Sequence, residues 1–417
     1  MTLPKLRFPE FRDAGEWEKK PLGKLGELVS GLTYSPKDIR EKGLLVLRSS
    51  NIQNGEICLE DNVYVTPGIK GANLLKPNDI LICVRNGSKA LIGKNALVPD
   101  GMPLCTHGAF MTVFRSQSAR FVFQLFQTSA YQSQVDGDLG ATINSINGSN
   151  FVKYKFYVPL PQEQQKIADC LSSLDDRITL ETKKLDTLKA HKKGLMQQLF
   201  PAEGETIPKL RFPEFQDAGE WEEKELGKIS RKIMVGIASA ATHAYRTSGI
   251  ILFRNQNIKE GYLDDSDILF IDEDYEKLHK GKRLKSGDLF TARTGYPGTT
   301  CVVPEKYEGS QSFTTLITRP NNSIIDSNFL CLFINSEKGQ AFFDSTKVGG
   351  GQQNVNAGSL TVMPVLYPSP QEQQKIADCL SSIDEAIAAQ SKAIDLLKLH
   401  KKGLMQQLFP SLEEVKR

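Results

Sequence analysis

The chain has 417 residues, of which 40% are hydrophobic and 24% are charged, and its formal net charge is +3. These values are typical of a globular protein and exclude a disordered or collagen-like chain. No apolar run reaches the roughly 18 residues that a membrane span needs, and the start MTLPKLRFPEF has charge and proline where a signal peptide is apolar. We therefore expect a cytoplasmic protein of several domains.

Metal and cofactor chemistry find no support in the sequence. The seven cysteines include no CxxC pair and show no zinc-ligand spacing with the five histidines. We expect reduced thiols, no metal site and no cofactor bound to this chain. The mild positive charge permits a nucleic-acid partner without requiring one.

The chain begins with a lead-in, PKLRFPEFRDAGEWE at 4–18, which is followed by a first body. Short runs rich in β-branched residues, separated by turn residues, predict strands. They lie at 44–48 (LLVLR), 79–85 (DILICVR) and 111–115 (MTVFR). A helix is expected around 121–132.

A long helix is predicted from Pro161, a suitable first-turn residue, to the proline at 201. Apolar residues alternate at spacings of four and three, as in a coiled coil, and the pattern is interrupted at Glu181 and Lys192. The seam residues are Ile167, Leu171, Leu174, Ile178, Leu185, Leu188, Leu195 and Leu199.

The whole arrangement is then repeated. The lead-in returns at 208–222, strands are predicted at 250–254, 288–293 and 314–319, and a helix is expected around 328–343. The stretch PQEQQKIADCLSS, which begins at position 161, recurs letter for letter from position 370. The apolar pattern of the second helix is interrupted at Gln390 and Lys401. The second seam consists of Ile376, Leu380, Ile383, Ile387, Ile394, Leu397, Leu404 and Leu408. A period of this length indicates duplicated domains and not a solenoid.

Connectivity predicts the direction of the helices. The first helix leaves body one and enters body two, so a second helix that packs along it has to run back. We expect an α+β protein: two diverged, β-rich bodies separated by two long antiparallel coiled-coil helices, a dumbbell with pseudo-two-fold symmetry. The predicted domains are 1–158, 159–201, 202–367 with the second lead-in, and 368–417. Two independent helices, each docked on its own body, are the alternative.

No catalytic motif is found. The chain has no Walker A loop, no HExxH, no proline–proline dipeptide of the kind that amino-methyltransferases use and no glycine-rich cofactor fingerprint. The glycine cluster VGGGQQ at 348–353 is better interpreted as a loop with adaptable polar groups than as a phosphate cradle.

The two bodies share polar residues after equivalent strands. RSSNIQNG at 48–55 and RNQNIKEG at 254–261 have the pattern R-x-x-N-I-x-x-G, and RNG at 85–87 and RTG at 293–295 follow another strand. Arg, Asn and Gln can hydrogen-bond to base edges, and Gly lets the backbone approach phosphate. The alternative is a solvated strand end in which the arginine makes a structural pair with a carboxylate.

This arrangement resembles the specificity subunit of type I restriction-modification systems over essentially the whole chain. PQEQQKIADCLSSLD, KKGLMQQLF, the two R-x-x-N-I-x-x-G stretches and the lead-ins PKLRFPEF and GEWE all match that family's pattern. The resemblance implies a non-catalytic chain with two target recognition domains for a bipartite DNA site. It also implies two adenine-methylating modification subunits and the restriction subunits as partners, which would carry S-adenosylmethionine, ATP and Mg.

The resemblance suggests why the helices repeat and the bodies differ: two identical partners dock on the repeats, and two half-sites are read by the bodies. Residues common to both bodies are then expected to hold the fold or grip phosphate: Arg48/Arg254, Asn51/Asn257, Gly55/Gly261, Gly87/Gly295 and Asn147/Asn356. The predicted DNA-binding residues are Arg48, Ser49, Ser50, Asn51, Arg85, Asn86, Ser88 and Lys89 in body one, and Arg254, Asn255, Gln256, Asn257, Arg293, Thr294, Tyr296, Gln352 and Gln353 in body two. A rod that displays protein-binding heads and a stand-alone transcription regulator remain the rival interpretations.

Overall fold

The computed structural model describes residues 3–139, 144–239, 241–345 and 355–410. The chain forms two compact units. Unit 1 consists of Met1–Thr182 and Lys392–Arg417, and unit 2 consists of Lys183–Ser391. Within the described residues, no helix is long and apolar enough to cross a membrane.

The described part of unit 1 contains twelve strands, β1 to β12 in chain order. They are β1 (Glu18–Pro21), β2 (Glu27–Ser30), β3 (Ile39–Arg40), β4 (Leu44–Leu47), β5 (Ile52–Gln53), β6 (Glu56–Ile57), β7 (Val63–Val65), β8 (Ile80–Cys83), β9 (Asn95–Leu97), β10 (Cys105–His107), β11 (Met111–Arg115) and β12 (Lys155–Val158). Its helices are α1 (Ala119–Leu125), α2 (Ser129–Asp138), α3 (Gly148–Phe151) and the first part of α4 (Pro161–Leu199).

Two four-stranded sheets form the frame of unit 1, in the orders β10-β4-β7-β3 and β2-β11-β8-β9. All residues of β4 and β8 are buried, which explains why these strands are continuous apolar runs instead of alternating ones. The pair β4 and β10 is parallel, whereas β11 is antiparallel to both β2 and β8. The carboxyl ends of β4 and β8 lead into the polar stretches singled out above.

Unit 2 repeats this topology. Its strands are β13 (Glu222–Glu225), β14 (Ser230–Val235), β15 (Tyr245–Arg246), β16 (Ile250–Phe253), β17 (Ile258–Lys259), β18 (Tyr262–Leu263), β19 (Leu269–Ile271), β20 (Leu289–Thr291), β21 (Thr300–Val302), β22 (Gln311–Ser312), β23 (Leu316–Pro320) and β24 (Pro364–Tyr367). The sheets have the orders β22-β16-β19-β15 and β14-β23-β20-β21. Each strand thus has a counterpart at the same place in unit 1, so a single topology was duplicated.

The helices of unit 2 are α5 (Glu273–Lys277), α6 (Ser327–Asn335), α7 (Glu337–Ser345), α8 (Ala357–Thr361) and the first part of α9 (Pro370–Leu408). Helix α5 lies between β19 and β20, an interval in which the described part of unit 1 has no α-helix. The end of α4 belongs to unit 2, and the end of α9 belongs to unit 1.

Most of the expected elements are confirmed. All six predicted strands are present, and both long helices run from the expected proline to two residues before the next one. The helices expected around 121–132 and 328–343 are wrong in number, because each is two helices. In unit 1 the side chain of Thr128 accepts a hydrogen bond from Tyr131 N and so starts a new helix, α2.

Within each unit, the start of one long helix packs with the end of the other. Ile167 and Leu171 share a core cluster with Leu408 in unit 1, and Ile376 and Leu380 share one with Leu199 in unit 2. This is the local packing that an antiparallel pair requires. The twelve central seam residues are all buried or half-buried: Ile167, Leu171, Leu174, Ile178, Leu185, Leu188, Ile376, Leu380, Ile383, Ile387, Ile394 and Leu397.

The lysines at two of the four seam interruptions form ion pairs with the other helix. In unit 1, Lys401 Nζ lies 2.6 and 2.7 Å from the two carboxylate oxygens of Asp175. In unit 2, Lys192 Nζ lies 2.7 Å from Asp384 Oδ1. The two pairs are equivalent by the repeat. In unit 1, the amide of the buried Gln124 on α1 also donates to Asp175, at 2.9 Å.

The lead-in fastens the ends of both helices in unit 1. Arg7 donates from Nε and Nη2 to the two carboxylate oxygens of Glu163, at 2.8 and 2.7 Å, and Glu163 is only 1% exposed. Leu6 N donates to Gln407 O at 2.9 Å, and the ring of Trp17 packs edge-on against Phe409. We call this arrangement the clamp of unit 1.

Unit 2 has an equivalent clamp. Arg211 pairs with Glu372 at 2.8 and 2.7 Å, Leu210 N donates to Gln198 O at 2.9 Å, and Trp221 packs on Phe200. The repeated lead-in therefore has the same function in both units: it joins the body to the first turn of one long helix and the last turn of the other.

Candidate nucleic-acid interface

The R-x-x-N-I-x-x-G stretch forms a tight turn at the end of β4. Arg48 N donates to Asn51 Oδ1 at 2.9 Å, and Asn51 Nδ2 donates to the carbonyl oxygens of Cys58 and Asp61 at 3.0 and 3.1 Å. The Asn51 side chain is 0% exposed. Its polar atoms are therefore used inside the unit, which is the fold-holding role expected of residues common to both bodies.

The turn after β16 is built identically. Arg254 N donates to Asn257 Oδ1 at 2.8 Å, and Asn257 Nδ2 donates to the carbonyl oxygens of Asp264 and Asp267. Asn257 is 2% exposed, so it has the same fold-holding role. The glycine that ends each motif has positive φ, 82° at Gly55 and 79° at Gly261, a conformation that favours glycine.

Both arginines make the carboxylate pair that the alternative interpretation described. Arg48 Nη2 lies 2.6 Å from Asp61 Oδ2, and Arg254 Nη2 lies 2.9 Å from Asp267 Oδ2. In unit 2, Gln256, two residues after Arg254, binds the same carboxylate: its Nε2 donates a hydrogen bond to Asp267 at 2.6 Å. The carboxylates are 65% and 67% exposed, so each unit presents an oriented donor–acceptor pair to solvent.

In unit 1, the carboxylate is also held by Ser50. A hydrogen bond from the Ser50 side chain and the nearby Arg48 guanidinium lower the pKa of the Asp61 carboxyl group. Asp61 therefore stays ionised at neutral pH. Sequence reasoning missed Asp61 and Asp267; the available signal was that both follow their arginine by 13 residues.

The loops after β4 and β8 meet in unit 1. Asn86 Nδ2 donates to Ser49 Oγ at 3.1 Å, and Asn86 Oδ1 accepts from Ser88 N at 3.0 Å. The structure thus brings together three of the residues predicted to bind DNA. Arg85 lies beside them, with its guanidinium carbon 5.7 Å from the centre of the Phe110 ring.

The equivalent loops meet in unit 2 through different side chains. Asn255 Oδ1 accepts from Arg293 N at 2.7 Å and from Thr294 N at 3.4 Å. The Tyr296 side chain, two residues further on, is 84% exposed. Position 49 or 255 therefore joins the two loops in both units, but the groups that each unit offers to solvent differ.

A third loop, which sequence reasoning missed, completes each cluster. It precedes β11 in unit 1 and contains Phe110, which is 58% exposed although it is a large apolar residue. In unit 2 it contains Thr314, whose φ is 52° and whose carbonyl and hydroxyl oxygens lie 3.5 Å from Asn255 Nδ2. An exposed aromatic ring beside an arginine is a signal that only the folded chain provides.

The other predicted positions are placed as follows. Lys89 is exposed and begins a short turn after Ser88. Asn147 and Asn356 cap α3 and α8 through their side chains, which is a structural function. Gln352 and Gln353 lie outside the described residues. No group of metal-ligating side chains is found among the residues searched, which are those described.

The sequence was compared with known protein families, curated proteins and solved structures. The model of the type I restriction modification DNA specificity domain matches twice, at residues 14–190 and 218–399. The EcoKI specificity subunit of Escherichia coli K12 is 24% identical over 380 residues, which cover 86% of this chain and 80% of that protein. The StySPI specificity subunit of Salmonella potsdam is 23% identical, with the same coverage of both chains.

Solved structures agree on the fold. The S subunit of a type I restriction-modification system from M. genitalium superimposes with a TM-score of 0.62 over 98% of this chain and 100% of that one, at 15% identity. A second structure, from a study of complex assembly and conformational transition in the type I system, gives a TM-score of 0.53 over 94% of this chain and 96% of that one, at 16% identity. The family model covers most of both units, and the chain belongs to the family of non-catalytic specificity subunits of type I restriction-modification systems.

Proposed function

We propose that this chain selects a bipartite DNA site, with one half-site read by each unit. One observation carries the proposal: the two units share their strand topology and their Arg–Asp pair, but differ at the positions where the loops meet. A shared frame with different side chains is what two readers of different sequences need. Arginine and amide groups donate to base edges, and a carboxylate can accept from an amino group of a base.

We further propose that the helix pair sets the distance between the half-sites and offers the same surface to two modification subunits. Each long helix has 39 residues, or roughly 58 Å at 1.5 Å per residue. The repeated surface of the helices supports two identical partners. We place S-adenosylmethionine on those partners, and ATP and Mg on the restriction subunits.

Methylation mapping tests the bipartite site. Methylated adenines would be mapped in cells that contain the modification subunit with and without this chain. We expect methylation at one sequence with two short specified parts and an unread spacer. Exchanging Asn255 and Thr294 for Ser and Asn, the residues at the equivalent positions 49 and 86 of unit 1, should change only one half of that sequence. Methylation that does not depend on this chain would contradict the proposal.

Spacing is tested separately by one heptad inserted after Ile178 and one after Ile387, which preserves both seams. Seven residues add about 10.5 Å to each helix, equivalent to roughly three base pairs at about 3.4 Å each. The preferred spacer should lengthen by that amount while both half-sites stay the same. Full activity on the original spacing would show that the partner subunits set the distance instead.

A further inference from the structure

Unit 2 carries a basic segment, residues 277–285 (KLHKGKRLK), that contains five cationic side chains. Two of these charges are offset locally, because Lys277 pairs with Asp274 at 2.9 Å and Arg283 forms a bidentate pair with the buried Glu276. Among the described residues, the exposed Lys280 and Lys285 form no salt bridge. The segment therefore keeps an excess of positive charge at the surface.

The basic segment lies beside the strand whose end carries the recognition loops. Leu284 N donates to Ser310 O at 2.9 Å, and the side chain of Gln311, in β22, donates to His279 O at 3.0 Å. Strand β22 pairs in parallel with β16, and the residues that follow these two strands, Thr314 and Asn255, meet in the loop cluster. The positive charge is thus placed at the margin of that cluster.

Unit 1 has the same backbone arrangement with fewer cationic residues. Leu75 N donates to Cys105 O at 3.0 Å, the counterpart of the bond from Leu284 to Ser310. With that bond as the reference, Gly71, Asn73 and Leu74 occupy the positions of three cationic residues of unit 2. The equivalent residues of unit 2 are Lys280, Lys282 and Arg283. Lys76, which is also exposed, occupies the position of Lys285, so unit 1 keeps one of the five cationic residues. The fold does not require the other four, and their charge needs another explanation.

We propose that the basic segment of unit 2 binds the phosphate backbone of DNA flanking the half-site of that unit, and that unit 1, which keeps Lys76 alone of these five cationic residues, makes a weaker contact at the equivalent place. The inference rests on the proposed function. Lysines that neutralise phosphates release counterions and strengthen binding without reading sequence. The segment would therefore anchor the DNA on unit 2 while the loops read the bases.

The test compares two double variants of the chain in complex with its modification subunits. K280Q/K285Q removes two charges that have no salt-bridge partner, and K277Q/K306Q removes two that are already paired, with Asp274 and Asp265. The probe is a duplex carrying the mapped site, and its affinity is measured between about 50 and 200 mM salt. In the first variant, the slope of the logarithm of the binding constant against the logarithm of the salt concentration should be smaller in magnitude by about 1.8. Between the two salt concentrations, this variant should therefore lose roughly 12-fold less affinity than the unsubstituted complex does. The second variant should change the slope much less.

Methylated half-site sequences should be the same in both variants. An unchanged slope in K280Q/K285Q, or an equal change in both variants, would overturn the phosphate contact. Impaired assembly with an unchanged slope would overturn it in favour of a protein partner. Lack of specific binding by the unsubstituted complex would overturn the proposed function as well, and so is distinguishable from failure of this inference alone.

Discussion

The clamp of unit 1 allows a stability prediction to be worked from its geometry. Replacing Arg7 with Ala removes both donors of the bidentate pair and leaves the Glu163 carboxylate, 1% exposed, without its cation. Breaking a buried pair in this way costs about 3–5 kcal/mol. Because the Arg7 side chain reaches the surface, with 8% exposure, water can enter the space it leaves. We therefore expect a cost near the lower limit, about 3 kcal/mol.

Hydrogen exchange is the suitable assay because it reports on each unit separately. A loss of about 3 kcal/mol should accelerate exchange of the most protected amides of unit 1 by roughly 140-fold. Amides of unit 2 should exchange at their usual rate in the same sample, which gives an internal control.

The matched substitution in unit 2 gives an ordering. Glu163 keeps a long hydrogen bond from Trp17 Nε1, at 3.4 Å, whereas the buried Trp221 Nε1 has no hydrogen-bond partner in the described structure. Arg211→Ala should therefore destabilise unit 2 somewhat more than Arg7→Ala destabilises unit 1. The double variant R7M/E163M, which removes both charges, should recover most of the loss. The reasoning would be refuted if, in both alanine variants, the most protected amides of the substituted unit exchanged less than tenfold faster than in the unsubstituted protein.

Three further predictions use equally local perturbations. Gly194→Ala and Gly403→Ala should each raise the stability of the chain by about 1 kcal/mol in thermal unfolding, since a Cβ there meets nothing within 4 Å; if partners approach at these glycines, assembly should weaken at the same time. Burial lowers the pKa of His107, so the unfolded chain binds more protons than the folded chain below about pH 6.5. The free energy of unfolding, measured in urea, should therefore decrease as the pH is lowered through this range, and the H107Q variant should lack this component. Asp175→Ala should destabilise its unit by about 1 kcal/mol more than Asp384→Ala does, as measured by hydrogen exchange, because Asp175 also accepts a hydrogen bond from Gln124 and the described residues show no such second bond to Asp384; equal costs would contradict this.

Regular elements were predictable because their signals are local. The four–three alternation of apolar residues predicts both long helices, and their limits follow from Pro161, Pro370 and the prolines after them. The breaks between α1 and α2 and between α6 and α7 were missed, although Thr128 is a typical N-cap residue. Here the apolar pattern continues across the break, so periodicity alone gave one helix.

The candidate site was only partly predictable, because side-chain roles depend on distant partners. The motif R-x-x-N located the right turn, but the sequence did not distinguish an asparagine facing solvent from one that closes the turn from inside. Asn51 is fixed by carbonyl groups seven and ten residues away, and Arg48 by a carboxylate 13 residues away. Phe110 gave no signal at all, since an aromatic residue before a buried strand normally belongs to the core.

The clamps give a structural reason for the close repetition of the lead-ins and helix ends, in addition to the docking of identical partners. In unit 1, the lead-in of the first copy contacts the helix start of that copy through Arg7 and Glu163, and the helix end of the second copy through Trp17 and Phe409. Unit 2 has the reciprocal arrangement. Each helix end must therefore fit a lead-in from the other copy, so a change in one copy is tolerated only if it suits its partner in the other. The loops that follow β4 and β16 make their hydrogen bonds within their own body and carry no such constraint. Apart from the shared residues that build the turn, their positions are therefore free to differ, as at Ser49 and Asn255.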